Sequence, residues 1–413
     1  MGRLNIAVFG LGFVGLTTAL GFADKGFSVR GFDINESRRV EISRGKLPFF
    51  EPGLDGALAR NLGKTFAATD TAEEAAKTSD VCFFCVGTPA NADGSADLTH
   101  LLSAMDGALA VTAETCVLVV KSTVPPGTLA KRVEPYIREK GRGNPVAANP
   151  EFLREGYCWE DFVNPDRIVC GVTDKAAREL LSRLYESFGA PVRFVSPSTA
   201  EFIKYLSNTL LATLISYSNE MSLIANAVGD IEIANAFHIL HEDKRLAGAG
   251  IDAYIYPGCG YGGYCLPKDT LALKAVSQAN GVKPRSLGEV IALNNKMPEH
   301  TAQRIIDAAE NNDAKIGILG LSFKPGSDDV RDSSAAKIIK ILKEKGYGNI
   351  YGYDPLAIDE FRRVYGTDIT CCSSANELCG TCDVVAVVTA WEEFKGLDKA
   401  FPNVKWVDCR YFL

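Results

Sequence analysis

Residues Asn5–Arg38 read NIAVFGLGFVGLTTALGFADKGFSVRGFDINESR, and their order decides the fold. A short Ile/Val/Phe run has the look of a strand. A glycine loop follows, then an apolar helix-compatible run, a turn at Gly26, and a second apolar strand that ends at Asp33. Gly10, Gly12 and Gly15 fill the spacing G-x-G-x-x-G, and Asp33 lies eighteen residues beyond the last of them. In a strand–loop–helix unit these glycines serve, in turn, a tight turn, close approach of backbone to a pyrophosphate, and close packing of helix on strand. The N–H groups of the helix start then face the phosphates. Asp33 would accept from a ribose 2′-hydroxyl and repel a 2′-phosphate, so the unit predicts a Rossmann fold that takes NAD rather than NADP. Asn5–Ala23 carries no charge, but four glycines break it. It lacks a basic leader and a small-residue cleavage site, and it reads as neither signal peptide nor membrane span.

The C-terminal part repeats the pattern. NIAVFGLGF resembles KIGILGLSF, with Gly10 facing Gly320, and VRGFDIN resembles IYGYDPL, with Asp33 facing Asp354. DVCFFCVGT likewise matches DVVAVVTAW, and VLVVKST matches VKWVDCR. Four strand ends in one order predict a second Rossmann-like sheet. Its loop has Ser322 and Pro325 where the first has Gly12 and Gly15, and it offers Lys324 and Arg331 instead. That points to a cation-based site for a different phosphorylated ligand, with a sheet domain carrying a solvated basic loop as the alternative. Between the halves, TAEFIKYLSNTLLATLISYSNEMSLIANAVG is helix-compatible up to Gly229 and apolar on nearly all sides, which implies burial against domains or another subunit. Lys204 and Asn208 are four apart on one face of it.

The fold expected is therefore α/β, two Rossmann-like doubly wound parallel-sheet domains joined by a long central helix. The boundaries fall at 1–196 for NAD binding, 197–300 for the connecting helical region with a cysteine loop, and 301–413 for the second nucleotide. With 46% hydrophobic and 23% charged residues the chain has ordinary soluble-globular composition. A net charge of −7 argues against non-specific nucleic-acid or membrane-surface binding. Twelve cysteines are too sparse for a disulfide scaffold and suggest a cytoplasmic protein with reduced thiols. Cys82 and Cys85 point to opposite faces of a strand, while Cys379, Cys382, His238 and His241 lack further ligands at zinc spacing, so no metal is expected.

One cysteine stands apart. Tyr256–Thr270 reads YPGCGYGGYCLPKDT, with Cys265 just ahead of a helix pattern, Pro267 in the first turn, Asp269 at the positive end of the dipole and Gly281 as the stop. A helix N-terminus and Lys268 both favour thiolate, and such sites bring a thiol into the range of about 3.5–7.5. A buried, inert thiol is the other reading. A second polar concentration, NPEFLREGYCWEDFVNPDRIVCG, holds Glu151 and Glu155, which either activate water or decorate a solvated turn. STVPPGT (Ser122–Thr128) follows an apolar strand at the carboxyl edge where ligands of such sheets sit.

Together GLGFVG, VGTP, STVPPGT, NPEFLREG, PDRIV, EFIKYLSNT, GYGGYCLPKDT and GLSFKPGSDDVRDSS resemble the UDP-glucose/GDP-mannose dehydrogenase family over nearly the whole chain. The resemblance implies oxidation of the C6 primary alcohol of UDP-glucose to the acid of UDP-glucuronate with two NAD⁺. The same chemistry on a UDP-N-acetylhexosamine, UDP-galactose or GDP-mannose is the alternative, and a non-catalytic NAD- and nucleotide-sensing module a remote one. It implies that Cys265 captures the aldehyde as a thiohemiacetal, later a thioester. Lys204 and Asn208 would stabilise oxyanion charge, Asp269 and Thr123 would position a water, and Glu151 or Glu155 would assist hydrolysis. NAD contacts would come from Gly10, Gly12, Phe13, Val14, Gly15, Asp33, Arg38, Thr88, Thr123, Glu155, Lys268 and Arg331. Contacts to the UDP-sugar would come from Glu151, Phe152, Leu153, Arg154, Lys204, Asn208, Tyr254, Tyr256 to Gly262, Phe323, Lys324 and Arg410. The resemblance further implies a homodimer whose long helix lies at the interface. DKRLAGAGIDAY departs from the family pattern by Leu246 and about four extra residues, which makes Arg245 the candidate for reaching a neighbouring subunit's substrate.

Overall fold

In the computed structural model, which describes residues 4–246, 250–366 and 369–413, the glycine unit is built as read. Strand β1 (Asn5–Phe9) leads through the loop into a helix at Phe13–Asp24 and on to β2 (Ser28–Phe32), which pairs parallel to β1 from Asn5↔Ser28 to Phe9↔Phe32. Gly10 makes the turn at φ +86°, a region closed to most side chains. A Cβ on Gly15 would lie 1.7 Å from the Gly10 carbonyl oxygen, so only glycine lets the helix sit this close to the strand.

The chain divides into two compact units, Met1–Ser207 and Asn208–Leu413. The first adds β3 (Phe66–Ala68), β4 (Val81–Phe84), β5 (Val117–Val120), β6 (Val146–Ala148), β7 (Ile168–Val172) and β8 (Val192–Val195), in the order β3-β2-β1-β4-β5-β6-β7-β8. Alternate residues feed two cores: Ile6 and Val8 enter one, Ala7 and Phe9 the other. Strand order reverses between β1 and β4, and the crevice at their carboxyl ends is where such sheets take ligands. One detail departs from an all-parallel sheet: β7 runs antiparallel to β6. The connection between them returns along the same end of the sheet, and its Phe162 packs edge-on to Phe22 of the glycine-loop helix, 5.5 Å between centroids.

The second unit holds β9 (Ile316–Leu319), β10 (Ile350–Tyr353), β11 (Thr370–Cys371), β12 (Val384–Val387) and β13 (Lys405–Asp408), all parallel, in the order β11-β10-β9-β12-β13. The duplication extends to single hydrogen bonds. Gly10 N–H donates to Phe32 O at 2.8 Å, and Gly320 N–H to Tyr353 O at 2.8 Å. Leu11 N–H donates to Asp33 at 2.7 Å, and Leu321 N–H to Asp354 at 2.8 Å.

A single helix, Pro197–Val228, carries Lys204 and Asn208 and ends before Gly229 at φ +78°. Tyr205 is fully buried, whereas Phe202, Leu206, Leu210, Tyr217, Ile224 and Val228 form an exposed apolar stripe at helical spacing. Among the described residues no helix is long and apolar enough to cross a membrane. The two Cys-x-x-Cys pairs are core residues: Cys82 and Cys85 pack on opposite sides of the first sheet, and Cys379 and Cys382 sit together in the second unit's core.

Candidate active site

The dinucleotide cradle is formed by side chains that leave room. A Cβ on Gly12 would meet no atom within 4 Å, so the space beside it is open, and the helix start has neither a side-chain cap nor an acid in its first turn. Backbone N–H groups there remain available to a phosphate. Asp33 is buried; one of its oxygens takes Leu11 N–H and Arg38, at 2.9 Å, and the other takes Asn35 N–H at 2.9 Å. A carboxylate has about four acceptor positions, so Asp33 keeps capacity for a ribose hydroxyl. Its counterpart Asp354 does not. Leu321, Ser322, Leu356, Ala357 and Trp391 donate six hydrogen bonds to it, and the second loop is closed to that use. These residues fit NAD in the first unit alone.

At the carboxyl edge of the first sheet, Thr88 donates to the Thr123 carbonyl at 2.8 Å. Phe13 packs on Phe49, 4.0 Å between centroids, and the Val14 carbonyl accepts from Thr18. Glu151 and Lys204, both buried, pair at 2.8 Å. Burial pushes the Glu151 carboxyl up, but Lys204, the Leu153 N–H at 2.6 Å and Lys121 pull harder and hold it below its ordinary range. The Lys204 ammonium also lies over the Phe152 ring at 5.7 Å. Glu155 is half-buried in a turn rather than a helix, so its four-residue spacing from Glu151 does not put the two on a common helical face. Arg154 is turned away to Asp161, bonded by its backbone and guanidinium.

In the second unit, Cys265 is the first residue of the helix Cys265–Ala279, one position further in than the sequence suggested. It is exposed, while the other eleven cysteines are buried or half-buried. Lys268 is buried and its ammonium pairs with the fully buried Asp269, so its charge is shared with that carboxylate before it reaches the thiol. Asn208 donates to the other Asp269 oxygen at 2.6 Å. Lys268 and Arg331 both lie over the Tyr264 ring, at 5.6 and 4.7 Å, and Arg331 is bidentate to Asp329.

The bare backbone before the thiol has a protein partner. A Cβ on Gly262 would lie 2.5 Å from the Asp332 carbonyl oxygen, one on Gly263 3.0 Å from the Phe323 ring, and one on Gly258 2.2 Å from the Arg410 guanidinium. The glycines thus seat this loop on the degenerate second loop, which carries Lys324 over Phe323 at 5.6 Å. Gly258 N–H donates to the Asn219 side chain at 2.7 Å, while the Asn219 amide nitrogen and Arg410 Nε are buried without a hydrogen-bond partner. Two orphaned donors flanking Gly258 suit an acceptor-rich ligand. Tyr256 is fixed by donating to Tyr411 O at 2.7 Å, and Tyr254 closes the turn Asp252–Tyr254. Arg245 is exposed and folded back onto Asp243, and part of its loop, 247–249, lies outside the described residues.

Models of the NAD-binding, central and UDP-binding domains of the UDP-glucose/GDP-mannose dehydrogenase family match residues 4–189, 198–296 and 317–413 in that order. The chain belongs to that family. It is a nucleotide-sugar dehydrogenase, and its cofactor is NAD. It is 37% identical to a UDP-glucose 6-dehydrogenase of Rhizobium meliloti over 96% of this chain and 91% of that one. The structure of a UDP-glucose dehydrogenase from Pyrobaculum islandicum superposes with a TM-score of 0.93 at 36% identity, covering 100% of this chain and 95% of that one. A UDP-D-ManNAc dehydrogenase from Pyrococcus horikoshii follows at 0.88 and 27%, covering 99% and 96%.

Three residues that motif reading passed over help to build these sites. Tyr264 lies under two cations, and Asn294 braces Tyr261 by accepting its N–H at 2.7 Å and donating to its carbonyl at 3.0 Å. Glu201 sits one helical turn before Lys204, a spacing that could have flagged it.

Proposed function

We propose that the chain oxidises the C6 alcohol of UDP-glucose to UDP-glucuronate through a thiohemiacetal and a thioester on Cys265. The observation that carries this is the thiol itself, exposed at the first position of a helix while every other cysteine is withdrawn. NAD⁺ supplies the hydride acceptor, two per sugar. The first oxidation leaves an aldehyde. Cys265 Sγ adds to its carbonyl carbon and gives its proton to the alkoxide, and the resulting carbinol is oxidised to a thioester. Water then cleaves the C–S bond, which releases the carboxylate and restores the thiol.

Lys204 and Asn208 supply oxyanion stabilisation, and Asn208 keeps a second amide hydrogen beyond the one given to Asp269. Glu151 orients Lys204, which leaves Glu155 to assist hydrolysis. Asp269 and Thr123 position the water. NAD is held at Gly10 to Gly15, Asp33, Arg38 and Thr88, with Lys268 and Arg331 contributing, and the UDP group at Tyr254 to Gly262, Phe323, Lys324 and Arg410. In this reading the chain works as 1–196 for NAD, 197–300 for connection and thiol, and 301–413 for UDP. It acts as a homodimer, supported by the exposed stripe Phe202–Val228 on the long helix. A reducing cytoplasm suits buried free thiols such as Cys82 and Cys116, which share a hydrogen bond at 3.6 Å and no disulfide.

The second reading is the same chemistry on a UDP-N-acetylhexosamine, favoured by the Arg245 loop, where the guanidinium is spent on Asp243. NADH release with UDP-glucose, UDP-galactose, UDP-N-acetylglucosamine, UDP-N-acetylmannosamine and GDP-mannose tests both. UDP-glucose should give the highest kcat/KM and two NADH per sugar. A ratio of one ends the four-electron mechanism, and a faster acetylated sugar moves the assignment to the second reading.

A further inference from the structure

We infer that Glu201 is a positioning residue that ties the Ser122–Thr128 loop to the long helix, so that Thr123 and Lys204 face one small cavity in fixed register. The inference rests on the roles proposed above for those two residues. Glu201 is 3% exposed. One of its oxygens accepts from Gly127 N–H at 2.5 Å and the other from Leu129 N–H at 2.8 Å, across more than seventy residues of sequence. Leu129 begins the helical segment Leu129–Glu139, whose start has no side-chain cap of its own. Glu201 therefore supplies from another element the acceptor that a helix start needs.

A local serine or asparagine would cap that helix from its own chain. Burying a carboxylate for the purpose is costly, and burial pushes the Glu201 carboxyl up to about 7 against three backbone N–H groups that pull it down. The position of the residue on the helix gives the reason for its use. One turn on, Lys204 shares its face, and both line a cavity of about 10 Å³ together with Ser122, Thr123, Val124 and Pro150. That volume fits about one water. Pro125 and Pro126 in the middle of the loop lack N–H groups, while Ser122 ties its start to the Phe84 and Val86 carbonyls and Thr128 bonds back to the Pro125 carbonyl. Thr88 holds it at the Thr123 carbonyl, and Glu201 holds the far end at Gly127 and Leu129. Glu151 fixes the Lys204 head and Glu201 fixes the loop across the cavity.

Glu201→Ala and Glu201→Gln, assayed as full chains with NAD⁺ and UDP-glucose, test this. Alanine should lower kcat by roughly 20-fold or more, with both KM values within about two-fold of wild type, because the loss is one of alignment. Glutamine keeps one oxygen acceptor and should recover part of the loss, leaving a deficit of about five-fold. An alanine variant with unchanged kcat, or a rise in KM alone, overturns the inference. If the alanine variant does not fold, an unchanged kcat in the glutamine variant overturns it. If the wild type oxidises no nucleotide sugar, the proposed function fails instead. Amide exchange at Gly127 and Leu129 then decides: about tenfold faster in Glu201→Gln supports the clamp, and equal rates refute it.

Discussion

Replacing Glu151 with Gln strikes the buried pair of the first unit. Glu151 and Lys204 have side chains only 7% and 5% exposed, at 2.8 Å. Removing one charge of such a pair leaves the other in an environment that does not solvate it, which costs about 3–5 kcal/mol. Glutamine retains one oxygen, enough for Leu153 N–H or for Lys204 but not for both, so roughly 3 kcal/mol is expected. For a unit the size of Met1–Ser207 that corresponds to a melting point lower by about 6–12 °C. The pH dependence follows from the depressed Glu151 carboxyl. Stability from a lowered carboxyl is present above its unfolded value, 4.5, and is lost as pH falls through the folded value. Calorimetric scans should show the full gap between variant and wild type at pH 7, and a shrinking gap below pH 4.5. A melting point within about one degree of wild type at pH 7 would refute the reasoning, because the pair would then be solvated.

Three further outcomes follow from the same geometry. Gly262→Ala places a Cβ 2.5 Å from the Asp332 carbonyl, so the loop must lift; about 1–3 kcal/mol of stability and a raised KM for UDP-glucose are expected, with NAD⁺ affinity by titration unchanged. The Glu201 carboxyl, raised to about 7 from 4.5, stabilises the fold fully below pH 4.5 and loses that contribution as pH rises through 7. Calorimetry from pH 5.5 to 8.5 should therefore show wild-type stability falling more steeply than that of Glu201→Gln, by about 2 kcal/mol across that window, and parallel curves would refute it. Leu210→Glu with Ile224→Glu charges the exposed stripe and should shift sedimentation from dimer to monomer, whereas an unchanged dimer would place the interface elsewhere.

Much of the fold was legible because its signals are local. Gly10, Gly12 and Gly15 announce a turn, a ligand approach and a helix packing within six residues, and the repeat at Gly320 and Asp354 announces the second sheet. The antiparallel β7 was not legible, since its residues read as strand in either direction; in the fold the connection before it packs Phe162 on the first helix. The thiol helix was read within one residue. The partners around it were not: Asn208 meets Asp269 across sixty-one residues of sequence, and the adjacent Lys268 and Asp269 turn their charges on each other rather than toward the thiol only in the folded geometry. The family resemblance assigns Tyr256 to Gly262 to the UDP-sugar, whereas the nearest neighbours of a Cβ at Gly258, Gly262 and Gly263 are protein atoms of Arg410, Asp332 and Phe323. Asp354 matches Asp33 in sequence position, but six donors from its own unit occupy it, and nothing in the sequence repeat distinguishes the two.

The central claim is that Cys265 carries the sugar covalently. Rapid quenching of the full chain during turnover of UDP-glucose with NAD⁺, followed by peptide mass spectrometry, tests it most directly. The account predicts an acid-stable thioester adduct on the peptide containing Cys265, absent without NAD⁺ and absent in Cys265→Ala, which still binds NAD⁺ but forms no UDP-glucuronate. Steady production of UDP-glucuronate by Cys265→Ala would contradict it.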